Sequence, residues 1–205
     1  MDSYKIVKKH LDQSMSYNDY KALVNELLEK GQATGNTQDE TYLEFSKLGV
    51  QRMKRWEKTV KINDEQKERI INISKPQTWL VIAEGWCGDA ATALPVMEKI
   101  SSLNSLITLK VILRDEYQDL INAFLTNGGQ SIPKLIAIDS SEEKILYTWG
   151  PRSAAATKLV EEEKAKNDGK FTADSKTVLQ QWYNKDKGQN IIEDLIKLLE
   201  ENNKA

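Results

Sequence analysis

Apolar residues recur at helical spacing through the first third of the chain. Leu23, Val24, Leu27 and Leu28 form one stripe, and Tyr42, Phe45, Leu48, Met53 and Trp56 form a second. A polar stretch at 31–39, rich in Gly, Thr, Asn and Asp, separates them, so the pattern predicts two antiparallel helices joined by a loop. A third helix is expected over 64–73, with Asn63 or Asp64 as N-cap, Ile70, Ile71 and Ile73 on its apolar face, and Lys75-Pro76 as its stop. The period then shortens. Residues 78–83 (TWLVIA), 106–113 (LITLKVIL), 132–138 (IPKLIAI) and 144–149 (KILYTW) are short β-prone runs, and five polar residues at 139–143 read as a hairpin connection between the last two. Helical spacing returns at 90–100, around Ala93, Leu94, Met97 and Ile100, with Pro95 expected to kink it. It returns again at 116–125 through Leu120, Ile121 and Phe124, ended by Asn127-Gly128-Gly129. The resulting order is β-α-β-α-β-β. Beyond Pro151 the pattern is helical, with Ser153 as N-cap for 154–166, a break at 167–169, and amphipathic segments at 173–182 and 190–199. The acidic run 161–163 fits a solvated helix face.

Composition narrows the function classes. A chain of 205 residues can bury one good core with helical additions, which sets an expected division into an N-terminal helical extension packed on the core (1–62), a core (63–166) and C-terminal helices of the same domain (167–205). The 29 Lys and Arg nearly balance the 31 Asp and Glu, so no basic footprint argues for nucleic acid or an anionic membrane as partner. No apolar run is long enough to span a bilayer, and 1–11 carries charges where a signal peptide would be apolar, so a soluble, cytoplasmic protein is expected. The single cysteine excludes an internal disulfide, and the single histidine, His10, excludes a His-rich or Cys/His zinc site. No metal or cofactor is expected, and any redox chemistry must run through one thiol.

That thiol is Cys87, in the sequence Trp86-Cys87-Gly88-Asp89-Ala90, where a strand hands over to a helix. The unpaired N–H groups and positive dipole end of a helix N-terminus favour an anion, so the location is expected to pull the thiol below its reference pKa of ~8.5 and populate the nucleophilic thiolate. Asp89, in the first turn of the same helix, places a negative charge near the sulfur and opposes that effect. Lys134 would offset Asp89 if it turned toward the site, but a solvated strand lysine is the favoured reading.

Glu-Gly-Trp-Cys-Gly-Asp-Ala after an apolar strand resembles the Trp-Cys-Gly-Pro-Cys turn of thioredoxins, and Ser131-Ile132-Pro133 before the third strand resembles their cis-proline loop. The similarity covers about 64–166, and the inferred element order matches the family's core; the Cys-Gly-Asp turn and the Trp149-Gly150-Pro151-Arg152 sequence are similar to a less characterised thioredoxin-like subgroup. The resemblance implies an α/β thioredoxin fold, a central mixed sheet flanked by helices, with extra N-terminal and C-terminal helices. It implies Cys87 as the catalytic residue, and Trp86, Gly88, Asp89, Ile132 and Pro133 as the substrate groove, with Ile132 offering its backbone N–H and C=O to a bound peptide.

The departures are informative. The family's second cysteine, two positions after Gly88, is Ala90 here, so intramolecular resolution of a mixed disulfide is impossible, and the buried carboxylate of the preceding strand aligns with Val81. A single thiol can still exchange with disulfides if an external thiol resolves the intermediate. The expected function is therefore thiol–disulfide exchange by a monothiol acting on a protein or small-molecule thiol or disulfide. The alternative is a non-catalytic peptide-binding module or redox sensor on the same fold. Cluster binding as in monothiol glutaredoxins is disfavoured by the absence of their Phe and Ser after the glycine, and a peroxiredoxin reading by the absence of the expected Thr and Arg partners. Oligomeric state is not legible.

Overall fold

The computed structural model describes residues 3–203. Strands β1 (Gln77–Ala83), β2 (Ile107–Leu113), β3 (Lys134–Asp139) and β4 (Lys144–Trp149) form a sheet in the order β2-β1-β3-β4. β1 runs parallel to β2 and antiparallel to β3, and β4 is antiparallel to β3. The mixed sheet has the order expected of a thioredoxin fold. β1 sits between two neighbours, and residues 79–83 are all fully buried, which is why its sequence is a continuous apolar run with no alternation. Its parallel crossover to β2 is made by α5 (Gly88–Ser101), which runs on through Pro95 at the loss of one hydrogen bond in its ladder.

The flanking helices are α1 (Ser3–Leu11), α2 (Tyr17–Glu29), α3 (Glu40–Thr59), α4 (Asp64–Ile71), α6 (Gln118–Asn122), α7 (Ala154–Lys166), α8 (Ala173–Asp186) and α9 (Gln189–Asn203). Their starts follow capping chemistry. Asn63 forms a reciprocal capping box with Gln66, while Ser153 and Thr172 accept hydrogen bonds from Ala156 and Ser175. α1 escapes the pattern reading because it buries only Val7 and His10 among its three lysines, and α6 is shorter than its amphipathic signal. Buried side chains from the N-terminal helices, the sheet and the C-terminal helices belong to one continuous apolar cluster. Arg69 of α4 reaches Glu193 and Glu200 of α9, tying the two flanks together.

Two close backbone approaches shape the site. α3 lies along α5, and a Cβ added to Gly49 would come within 2.4 Å of the Gly85 carbonyl oxygen, so only glycine lets α3 lie this near the turn after β1. The Ile132–Pro133 and Gly150–Pro151 peptide bonds are both cis. Gly150 has φ +113°, and a Cβ there would lie 2.2 Å from the Pro133 carbonyl oxygen, so the two proline turns meet backbone to backbone.

Candidate functional site

Cys87 is the N-cap of α5, as its place between strand and helix predicts. Its Sγ accepts from the Ala90 N–H at 3.5 Å and faces the Ile132 carbonyl oxygen at 3.3 Å, the geometry of a thiol that donates to the proline loop. The residue is 8% exposed. The sequence reading expected the helix end to lower the thiol pKa, and the balance runs the other way. Burial pushes it up to about 12, Asp89 adds to the rise, and the N–H groups of Ala90 and Asp89 together with Arg152 offset only part of it. Desolvation outweighs the helix dipole because the sulfur has little water around it, and the resting form is the neutral thiol.

Asp89 does what its sequence position implies toward the sulfur, but it is not a free charge. Arg152 lies 2.6 Å from one carboxylate oxygen, and the Tyr183 hydroxyl donates to the other at 2.9 Å. The three groups join the start of α5, the second proline turn and α8. The turn carrying Arg152 is itself fixed by Asp194 of α9, which accepts from the Trp149 indole N–H and the Ala154 N–H. Burial and the Asp89 carboxylate push the Tyr183 phenol well above its ordinary pKa, so it keeps the proton it donates to Asp89.

Lys134 plays no part here, and the solvated placement favoured above is corrected. Its side chain is folded inward and donates to the Thr126 hydroxyl at 3.1 Å, with burial lowering its pKa. Lys134 opens an interior strand, so its side chain turns inward beneath the loop that ends in Gly129. The cation that does oppose Asp89 is Arg152.

A second arginine was not singled out in sequence. Arg52, one helical turn after Gly49, lies over Gly88, where an added Cβ would stand 2.6 Å from its Nη1. It is half-buried, and that burial lowers its pKa against the pull of Asp89 and Cys87. Trp86 is held between Tyr42, edge-on at 5.0 Å, and the Arg114 guanidinium, 4.9 Å from its ring centre, while its indole N–H has no acceptor. Trp86, Cys87, Gly88 and Asp89 open onto one cleft of about 540 Å³, whose far walls are Phe45 and Leu48 of α3 and Phe171 with Leu179 near and on α8. Ile132 and Pro133 lie behind the thiol and do not line this cleft. The Ile132 carbonyl, expected to face a bound peptide, is occupied by Cys87.

On the other side of the turn, Glu84 is fully buried. One of its oxygens accepts from the Asp115 N–H at 2.9 Å, and burial raises its pKa against the opposing effect of the Thr34 hydroxyl and that N–H. Among the described residues no group of His, Cys, Asp and Glu could hold a metal ion, and no helix is long and apolar enough to cross a membrane.

The comparisons with known proteins agree with this architecture. A family model described as Thioredoxin matches residues 35–166, more than half of the chain, and its match begins ahead of α3 and therefore includes Arg52. A crystal structure of a protein of unknown function from Pseudomonas aeruginosa superposes with a TM-score of 0.55 at 18% identity, covering 91% of this chain and 98% of that one. An HIV epitope scaffold superposes with a TM-score of 0.56 at 19% identity, with the same coverages of 91% and 98%. At these identities the two structures show the fold alone. No curated protein matches the sequence.

Proposed function

This chain belongs to the thioredoxin family, and on that premise we propose that it carries out thiol–disulfide exchange through Cys87 as a single nucleophile, with an external thiol resolving the intermediate. One observation carries the reading. The sulfur sits at the N-terminus of α5, beside backbone N–H groups able to stabilise a thiolate, and opens onto a cleft large enough for a substrate. In the first step the Cys87 thiolate attacks one sulfur of a bound disulfide. A bond forms between Sγ and that sulfur, the substrate S–S bond breaks, and the departing sulfur takes up a proton. A second, external thiol, as its thiolate, then attacks the substrate sulfur of the mixed disulfide; a disulfide forms between the two, the Sγ–S bond breaks, and Cys87 leaves reduced and takes up a proton. Ala90 makes this second thiol obligatory.

The neutral resting thiol sets the rate. With the pKa raised to about 12, the ionised fraction at pH 7 is on the order of one in 10⁵, so exchange speeds up with pH across the whole accessible range. The substrate is a protein or small-molecule disulfide, and a reducing, cytoplasmic setting would supply the resolving thiol. The helices of 1–62 and 167–205 act with the 63–166 core as one unit that forms the cleft.

Steady-state reduction of a glutathionylated peptide, with glutathione and its reductase supplying electrons, tests the proposal. Turnover that disappears in Cys87→Ser supports it, and equal rates in the two proteins sink it. The burial of the thiol favours a second reading, a binding module in which Cys87 serves packing. Under that reading Cys87→Ser retains partner binding and the wild type shows no turnover.

A further inference from the structure

The cleft walls are assembled from parts outside the strand–turn–helix that carries the cysteine, and their chemistry is uneven. Arg52, Arg152 and Lys176 bring three cations to the lining, and Asp89 is the only anion among the lining residues. Asp89 is paired with Arg152 and acts on Arg52 only from a distance, so neither Arg52 nor Lys176 has an ion-pair partner among the described residues, in a chain whose overall charge is −2. Lys176 lies 5.8 Å from the centre of the Phe45 ring, on the cleft wall.

Arg52 is the telling residue. Its guanidinium is half-buried, yet among the described residues its side chain makes no hydrogen bond or ion pair, and burial depresses its pKa. A desolvated guanidinium without an acceptor is costly, and a planar, bidentate donor of this kind is matched by a carboxylate. Gly88 gives that guanidinium its place, immediately beside Cys87. Thr177 and Gln180 add polar groups on the α8 side, and the α3 wall is apolar, with Phe45 and Leu48 both partly open to solvent. A cavity of about 540 Å³ falls in the range of small-ligand sites, roughly 300–1,000 Å³, rather than that of an extended protein interface.

We infer that the cleft selects a low-molecular-weight disulfide bearing a carboxylate, which Arg52 holds while its carbon frame lies on Phe45 and Leu48 and one sulfur meets Cys87. The inference rests on the exchange reading and names its substrate class. The balance is unchanged: Cys87 is oxidised into the mixed disulfide, the leaving half is reduced to a free thiol carrying the proton, and an external thiol reverses the state of Cys87. Arg52 binds the carboxylate and takes no part in bond making.

Three disulfides of matched length separate charge from reactivity: dithiodipropionate (two carboxylates), hydroxyethyl disulfide (neutral) and cystamine (two ammonium groups). Adduct formation on Cys87 is followed by mass spectrometry, each rate being divided by that of free cysteine with the same probe. The expected result is a preference of about tenfold or more for dithiodipropionate over cystamine, with Arg52→Gln slowing the dicarboxylate about tenfold, Arg52→Lys slowing it less, and the neutral probe unchanged in both. Equal normalised rates for the three probes, or Arg52→Gln slowing all three alike, overturns the inference. If no probe forms an adduct, the exchange reading fails by itself. The carboxylate site is then judged in Cys87→Ser by titrating thiodipropionate, the non-reactive thioether, against Trp fluorescence: saturable binding weakened about tenfold by Arg52→Gln supports the site, and no saturable binding overturns it.

Discussion

Glu84 and Asp89 flank the cysteine, three residues before it and two after, and both are withdrawn from water, yet they occupy opposite electrostatic settings. Asp89 meets a guanidinium and a phenol brought from the second proline turn and from α8. Glu84 is fully buried, and that burial raises its pKa, with the Asp115 carboxylate adding to the rise and the Thr34 hydroxyl, the Asp115 N–H and Arg114 offsetting only part of it. The same kind of side chain therefore serves as a fixed ion in one place and a readily protonated group in the other. Local sequence is alike in the two cases. What differs is how closely a cation is delivered: Arg152 lies 2.6 Å from Asp89, whereas Arg114 is held by Asp115 and acts on Glu84 only from a distance.

Breaking the paired side gives the largest effect. Asp89→Ala leaves Arg152 without its carboxylate in a mostly buried position and is expected to lower stability by about 3 kcal/mol, read from urea unfolding. The milder Asp89→Asn removes a charge that raises the Cys87 pKa while Arg152 stays in place. Iodoacetamide should then alkylate Cys87 about tenfold faster at a fixed pH near 8, equivalent to about one pKa unit. An unchanged rate would show that desolvation alone governs the thiol.

The unpaired side responds with a smaller change of opposite sign. The folded state holds a proton on Glu84 to higher pH than the unfolded chain, so its stabilising share is complete below the unfolded carboxylate range and is lost as pH rises through the raised folded value. Glu84→Gln should be as stable as wild type or more so at pH 7, by up to about 1 kcal/mol in urea unfolding, and its stability should fall less as pH rises above the unfolded carboxylate range. A variant less stable than wild type at pH 7 would mean that the charged form is the one the fold uses.

Asp119 provides the exposed counterpart and the smallest effect. Hydrogen bonds from Lys9 and His10 hold its carboxyl down at about 2, so its contribution is present above the unfolded carboxylate range and disappears as pH falls toward that value. Half of the side chain is in water, and Asp119→Asn should cost only about 0.5 kcal/mol near neutrality, with the difference from wild type vanishing in acid.

The core was legible because its signals are local. An apolar run between Pro76 and Gly85, a cysteine at a helix start and a proline opening a strand each declare themselves within a few residues, and the succession of strands and helices in the core followed from them, while the spatial order of the strands came with the structure. The cleft was not legible in the same way. Arg52 stands among Arg52-Met53-Lys54-Arg55 and looks like any charge on a helix surface, and only the packing of α3 against the turn sets it apart. The one available signal was Gly49, a helix-interior glycine with a propensity cost of about 1 kcal/mol that a close contact explains. Arg152 was noticed as part of a motif but not as the partner of Asp89, since that pairing spans from the second proline turn to the start of α5. The thiol pKa was misjudged for a related reason: the helix end is visible in sequence, whereas the depth of the sulfur depends on α3, α8 and the proline loop closing over it.

The contact between Gly49 and Gly85 also sets a spacing within the cleft. The wall that faces the sulfur is registered to the reactive turn through two residues without side chains, backbone against backbone. A single methyl group at position 49 would act as a shim between α3 and the turn, forcing the two apart and changing the gap between Arg52 and Cys87. Position 49 is thus the spacer that sets how far the α3 wall of the cleft stands from the sulfur.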